Sequence, residues 1–259
     1  MRGPHFSNGY FANGIVVKNA WYPMLDNVKI TSEYGDSHGK MAAGFALLDC
    51  YSPLVDKCYF WGGAEYGLLY RSEIDSEDGI VSDCYFVGQD TGIRVRLSAR
   101  TDGWGEPAFH LTDSHIHYKV KGLALKGIRQ GFVSGNLFYC FNRAASRWHA
   151  DPDSVSSYTS KDIECDAVND FIVSHNQFAE PASPKRVCID ILPNSGNLLI
   201  DGNIFNMDGT AIRNRSQVSS RCIGNVYTGS PDFTKSADGA NALIRYVDPN
   251  GTLKTLDFE

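Results

Sequence analysis

Ile172-Val-Ser-His-Asn-Gln-Phe178 is followed by Leu199-Ile-Asp-Gly-Asn-Ile-Phe205, with the two Asn residues 27 positions apart. The same seven-residue phrase occurs earlier as Met24-Leu-Asp-Asn-Val-Lys-Ile30, Leu54-Val-Asp-Lys-Cys-Tyr-Phe60, Ile80-Val-Ser-Asp-Cys-Tyr-Phe86, His110-Leu-Thr-Asp-Ser-His-Ile116 and Phe132-Val-Ser-Gly-Asn-Leu-Phe138, and once more as Arg221-Cys-Ile-Gly-Asn-Val-Tyr227. Its pattern is an apolar residue, two polar or small turn formers, a small residue or Asn, a free position and a large apolar residue. The fifth positions are separated by 30, 26, 30, 22, 40, 27 and 22 residues. A period of this size signals a stack of equivalent units. Variation in the period implies that the stacked strands are kept while the turns between them absorb insertions.

A second phrase follows most copies of the first. Gly67-Leu-Leu-Tyr-Arg71, Gly92-Ile-Arg-Val-Arg96, Gly122-Leu-Ala-Leu-Lys126 and Arg186-Val-Cys-Ile-Asp190 read as short strands introduced by a turn residue, and Gly14 and Gly44 open similar runs. Apolar residues at alternate positions mark strands, and no segment carries the spacing of an amphipathic helix. A leucine-rich repeat shares the Asn but needs a helical half, and propeller blades have longer repeats. The expectation is an all-β chain folded as a right-handed parallel β-helix, a solenoid of about eight to nine coils stacked about 4.8 Å apart. The helix is expected over residues 14–247, with 1–13 as a lead-in and 248–259 as a C-terminal tail.

In such a stack the phrase becomes a set of columns. Asn136, Asn176, Asn203 and Asn225 are expected at one corner, where Asn tolerates a left-handed backbone and bonds along the stack; Cys58, Cys84 and Ser114 replace it in earlier coils. Phe60, Phe86, Phe138, Phe178, Phe205 and Tyr227, with Ile30 and Ile116, are expected to point inward.

The chain has 259 residues and a formal net charge of −6, with no basic run, which argues against a nucleic-acid partner. No apolar run is long enough to span a membrane, so no membrane insertion is expected. The seven cysteines are odd in number and follow the coil spacing without a CxxC pair, so they read as small core residues of a protein made in a reducing cytoplasm. No metal and no cofactor is expected. Neither end of the stack has a capping helix, so further domains or neighbouring subunits are expected to cover the open coils.

The Gly-led strands, the Gly-Asn-x-Phe corners and the irregular insertions resemble the pectate-lyase-like β-helix superfamily. Within it, the repeats are most similar to the β-helical body of bacteriophage tailspike depolymerases. The resemblance covers roughly residues 14–247 and rests on repeat grammar. It implies a homotrimeric protein of the virion tail, made in the host cytoplasm, that binds and cleaves a bacterial surface polysaccharide (capsule, exopolysaccharide or O-antigen).

Three groups of residues could serve that chemistry. The sixth position of the phrase places Tyr59, Tyr85 and His115 outward on successive coils, as faces on which pyranose rings could stack or as a ladder that merely supports the sheet. The fifth position of the second phrase gives Arg71, Arg96 and Lys126, with Arg94 nearby. These stacked cations would repel one another unless an acidic saccharide or neighbouring carboxylates lay across them. The 40-residue interval holds the largest insertion, with Arg143, Arg147, Trp148, His149, Asp151 and Asp153 as an aromatic face, cations and carboxylates.

Glycoside hydrolysis needs one protonated and one ionised carboxyl group. The expected pair is Asp151 and Asp153 with Glu164, Asp166 or Asp190 as partner. A polysaccharide lyase is the alternative within the fold, with Arg96 and Lys126 neutralising a uronate and His115 or His149 as base. A non-catalytic adhesin or structural spike is the alternative outside enzymology, since one fold hosts all three.

Overall fold

The computed structural model describes residues 5–6, 13–31, 41–73, 77–98, 107–140, 160–179, 186–206, 209–218, 220–228, 231–235, 244–247 and 253–256. Of 5–6, 231–235, 244–247 and 253–256 it describes the backbone. Twenty-five strands and no helix occur among these residues. All but the last strand pair in parallel, coil upon coil, in a right-handed parallel β-helix of eight complete coils with a ninth begun.

Each coil supplies three strands, and these make three faces. Sheet A holds the strands that follow the phrase corner, such as Lys29–Thr31, Tyr59–Trp61, Leu137–Cys140 and Gln177–Ala179. Sheet B holds the Gly-led strands, from Asn13–Lys18 and Met41–Leu48 to Lys161–Asp166, Val187–Ile191 and Gly209–Asn214. Sheet C holds the opening of the phrase, from Met24–Asp26 to Gly196–Asp201. Tyr85–Leu97 and His115–Lys126 each run from sheet A into sheet B. In the lead-in, His5–Phe6 pairs with Lys29–Ile30, and in the tail Leu253–Leu256 pairs antiparallel with Ile244–Val247.

The inward aromatic column is present. Phe60, Phe86, Ile116, Phe138, Phe178, Phe205 and Tyr227 align in register and are buried. From Phe138 onward the rings stack face to face, with centroids 5.4, 4.7 and 4.9 Å apart. The glycines of the second phrase explain how these rings fit. Gly44, Gly67, Gly92 and Gly122 are not turn residues. They lie within sheet B and point inward against sheet A, where a Cβ would come within 2.6 Å of the Phe60 ring at Gly44 and 2.3 Å of Ile116 at Gly92. This is close approach rather than backbone freedom. Register also corrects the last copy: Gly122 aligns with Asp162 and then Cys188, so the true successor of the Gly phrase is Cys188-Ile-Asp-Ile and not the run beginning at Arg186.

The corner column is present with a division of labour. Asn136, Asn176, Asn203 and Asn225 are buried, and each passes its side chain to the coil before. Asn136 N donates to Asn176 Oδ1 at 3.0 Å, Asn176 N to Asn203 Oδ1 at 2.9 Å and Asn203 N to Asn225 Oδ1 at 3.0 Å. Ser114 and Cys84 continue the same rungs in earlier coils, through Ser114 N to Asn136 Oδ1, Cys84 N to Ser114 Oγ and Cys58 N to Cys84 Sγ. The left-handed conformation expected of the Asn belongs instead to the residue before it: Gly135, His175, Gly202 and Gly224 have φ of 73°, 55°, 62° and 65°. All seven cysteines are buried and unpaired, as expected of small core residues.

The phrase itself is also re-read. Its second position, taken as a turn former, is core: Val55, Leu111, Val133, Val173 and Ile200 are fully buried. Its first position faces out, so Met24, Leu54, Ile80, Phe132, Ile172 and Leu199 form an apolar stripe along sheet C, interrupted by His110 between Ile80 and Phe132 and ended by Arg221. Inward alternation from the second position would have predicted both.

Candidate functional site

On sheet A the residues flanking the inward aromatic column face outward, because side chains alternate along a strand. Tyr59, Tyr85 and His115 align coil upon coil as expected. Tyr85 lies 6.1 Å from Tyr59 and 4.5 Å from His115 by ring centroid, and Lys29 Nζ sits 5.0 Å above the Tyr59 ring. Two residues further along the same strands run Trp61, Val87, His117 and Tyr139. His117 lies 6.1 Å from His115 and 5.1 Å from Tyr139, so the two columns form one surface. Trp61, His117 and Tyr139 were missed because the phrase stops at its seventh residue. Strand alternation carried one step further would have found them.

This surface is rigid, half-exposed and rich in ring faces, which is what the C–H faces of pyranose rings stack upon. Burial and the neighbouring His115 push the His117 imidazole down to about 4, and its Nε2 has no hydrogen-bond partner among the described residues. It is therefore neutral near pH 7 and presents an uncharged ring. Beside the surface runs a groove of about 630 Å³, between His115, Leu137 and Gln177 of sheet A and Asp113 and His175 of the corner.

Cys140, the last described residue before the large insertion, ends a sheet A strand beside Tyr139, and Ser160, the first described residue after it, precedes a sheet B strand. Arg143, Arg147, Trp148, His149, Asp151 and Asp153 lie outside the described residues. Two residues after Ser160 is a feature the sequence did not announce. Asp162 fills the place of a column glycine, and its carboxylate accepts from Arg186 Nε at 2.9 Å and Nη2 at 2.7 Å and from the Tyr118 hydroxyl. All three side chains are fully buried. Arg186 also donates to the Ala179 carbonyl, tying together the ends that flank residues 180–185.

The remaining candidates lie on the outward face of sheet B, in an ionic lattice. Asp190 is inaccessible to solvent and is held by Lys161 at 2.9 Å, Arg213 at 2.6 Å and Arg215 at 2.8 Å. Its register neighbour Glu164 pairs with Lys121 at 2.6 Å and with Lys161. Burial pushes both carboxyls up. The bonds from Lys121 and Lys161 to Glu164, and from Arg213 and Lys161 to Asp190, outweigh it and hold both below the ordinary carboxylate range. A carboxyl so held favours its ionised form, which suits the base or nucleophile of a carboxyl pair better than the proton donor. Asp166 pairs with Lys126 at 2.6 Å, so both of these candidates are engaged with each other. Arg71 similarly approaches Glu73, while Arg96 has no ion-pair partner among the described residues. No cluster of three or more His, Cys, Asp or Glu side chains able to hold a metal ion is present among the described residues.

No protein-family model matches the sequence, and no curated protein does. Solved structures do. The enzymatically active domain of tailspike protein 2 of bacteriophage CBA120 superposes with a TM-score of 0.58 at 12% identity, over 93% of this chain and 35% of that one. A mutant tailspike protein of the E. coli bacteriophage HK620, in complex with a pentasaccharide, superposes with a TM-score of 0.53 at 15% identity, over 84% of this chain and 42% of that one. The chain thus has the parallel β-helix fold of phage tailspike proteins, and it spans less than half the length of these two.

Proposed function

We propose that this chain is the β-helical body of a tailspike-type depolymerase that binds and cleaves a bacterial surface polysaccharide. The observation that carries the reading is the six-ring surface of sheet A. A solenoid does not require two outward columns of Tyr, Trp and His for stability, and a sugar chain laid along the coils would meet ring faces at the coil spacing. The likeness in fold to two tailspike proteins, one represented by its enzymatically active domain and one in complex with a pentasaccharide, supports the same reading.

Hydrolysis is the preferred reaction. The acid falls to Asp151 or Asp153, and Glu164 or Asp190, held as ions, or Asp166, is the partner carboxylate. Side-by-side packing into a homotrimer within the virion tail is part of the proposal, and the apolar stripe on sheet C supports it. A lyase is the second reading, favoured by Arg96, which has no ion-pair partner among the described residues, beside Lys126.

The test is incubation with capsules and lipopolysaccharides from a panel of hosts, reading product size together with the ultraviolet absorbance of a new double bond. A fall in chain length without that absorbance is expected. Tyr85→Ala should weaken binding of the cleaved polysaccharide by about 1–3 kcal/mol, by analogy with other aromatic stacking platforms. Asp151→Asn or Asp153→Asn should lower turnover by about two orders of magnitude or more. Binding that leaves chain length unchanged would make the chain an adhesin.

A further inference from the structure

We propose that the buried Tyr118–Asp162–Arg186 cluster braces successive passages of the chain from sheet A to sheet B, and that Arg186 is thereby a positioning residue for polysaccharide cleavage. This role rests on the depolymerase reading above and adds to it a group that never touches the substrate.

An ion pair is out of keeping with the column in which it sits. The inward place of Asp162 is taken by Gly14, Gly44, Gly67, Gly92 and Gly122 in the coils before it, and by Cys188 and Ala211 in the coils after it. Those coils close this part of the core with small neutral residues. The sixth closes it with a carboxylate and a guanidinium, neither of which reaches solvent. Taking two ions out of water can cost as much as their attraction gives, so apolar side chains of similar volume serve stability as well or better. Stability alone does not account for the pair.

What the cluster does is join points far apart in the chain. Tyr118, which donates its hydroxyl to Asp162, lies where the strand His115–Lys126 passes from sheet A into sheet B, one residue beyond His117 of the aromatic surface. Ser160, two residues before Asp162, is buried, and its carbonyl accepts from Val187 N at 2.8 Å. Arg186 engages all three of its side-chain nitrogens: Nε and Nη2 on Asp162, and Nη1 on the carbonyl of Ala179, which ends a sheet A strand. Its own carbonyl accepts from Thr210 N at 2.9 Å in the next coil. Three successive passages from sheet A to sheet B, those that follow Tyr118, Cys140 and Ala179, are thus referred to one carboxylate. A planar fork fixes both carboxylate oxygens and a carbonyl at set angles, which an ammonium group cannot do. Asp151 and Asp153, proposed above to supply the acid, belong to the second of these passages. A displacement of about 1 Å that originates far from the reacting atoms can cost about 100-fold in rate. The brace fixes the end at which that passage rejoins the stack.

The test compares the full chain with two variants. Tyr118→Phe/Asp162→Leu/Arg186→Met removes the charges and keeps the volume, and Arg186→Lys keeps the charge and removes the fork. The triple variant is expected to melt no lower than the parent. In both variants the Val187 and Thr210 amides should exchange with deuterium at least about tenfold faster, while the Gln177 amide, bonded to Asn136 at the far edge of sheet A, keeps its rate. On the polysaccharide that the parent cleaves, kcat should fall by about 10- to 100-fold and KM change by less than about threefold, because Tyr59, Tyr85 and Trp61 are untouched. A role in core packing alone would move neither the two amides nor kcat in a variant of parental melting temperature. Parental exchange at Val187 and Thr210, or parental kcat in a variant whose amides have loosened, overturns the proposal. So does loss of the folded state in both variants, which would make the cluster a condition of the fold and not a brace within it. A parent that cleaves no polysaccharide sinks the depolymerase reading and the positioning role together; faster exchange in the variants would then leave the brace alone standing.

Discussion

Asn176 makes four side-chain hydrogen bonds: its Nδ2 donates to the Val133 carbonyl and to Asn203 Oδ1, and its Oδ1 accepts from the backbone and side-chain nitrogens of Asn136. None of its partners can turn to water. Asn176→Ala is therefore expected to cost about 2–3 kcal/mol through the groups it strands, while Asn176→Ser should cost roughly half as much because Ser can still accept from the coil before, as Ser114 does. Urea denaturation of the two variants checks this, and equal losses would mean the rung is not what stabilises the corner. His117 gives a pH signature of its own. Its imidazole titrates near 6.5 when unfolded and at about 4 when folded, so between those values the unfolded chain binds more protons. Stability contributed by the neutral ring is complete above about 6.5 and is lost as the pH falls toward 4, by about 1–3 kcal/mol after allowance for its partial exposure. His117→Phe should remove that acid limb from a series of melting curves. A limb unchanged in the variant would assign it to other groups.

At the scale of the strand and its column, Phe178 lies between Phe138 and Phe205, with stacked rings on both sides and no exposure. Phe178→Ala should cost about 3–5 kcal/mol because the flanking rings are held by their own strands and cannot close the void. A calorimetric loss below about 1 kcal/mol would show that the column repacks freely. These columns were legible in the sequence because each residue type has one reason to recur. Asn recurs at a rung, Phe in the core, and Gly where a ring presses on backbone. The direction of each position was less legible. The outward Met24, Ile80 and Ile172 look like core residues in the sequence, and Val55 or Val173 look like part of a turn. The site was read in pieces for the same reason. Tyr59, Tyr85 and His115 stand on the repeated phrase, whereas Trp61, His117 and Tyr139 lie one alternation beyond it. The clamp on Asp190 comes from Lys161, Arg213 and Arg215, which are distant in sequence and meet only through register.

At the scale of the molecule, the apolar stripe of sheet C runs parallel to the axis of the stack through the first seven coils, broken only by His110 in the fourth. Ile80 and Ile172 are each 40% exposed, and Met24 is 60% exposed. A narrow stripe of this kind is covered most economically by the same stripe on parallel neighbours, which is the geometry of side-by-side trimers. Ile80→Lys/Ile172→Lys is expected to leave the fold of a single chain intact and to shift sedimentation from trimer to monomer. A wild-type chain that sediments as a stable monomer, or a double variant that stays trimeric, would place the contact elsewhere.

The rungs at the corner have a consequence for how such a protein can change length. Every rung is chemically the same joint: a backbone N–H of one coil meets a side-chain acceptor of the next, whether Cys84 to Ser114 or Ser114 to Asn136. The stack can therefore be cut at one rung and rejoined at another without altering either face of the joint. Removing residues 85–114, the 30-residue interval between two rungs, would bring Cys84 against Asn136 and carry the strand on from His115. In that shorter chain Gly67 would meet Gly122 and Arg71 would meet Lys126, the same kinds of neighbour each has now. It is expected to unfold in one cooperative transition at a modestly lower temperature, whereas a cut of 15 residues, half a turn out of phase, should yield no folded protein. Length in this architecture is then quantised in whole coils, and a gene encoding it could gain or lose one in a single recombination event without passing through an unfoldable intermediate.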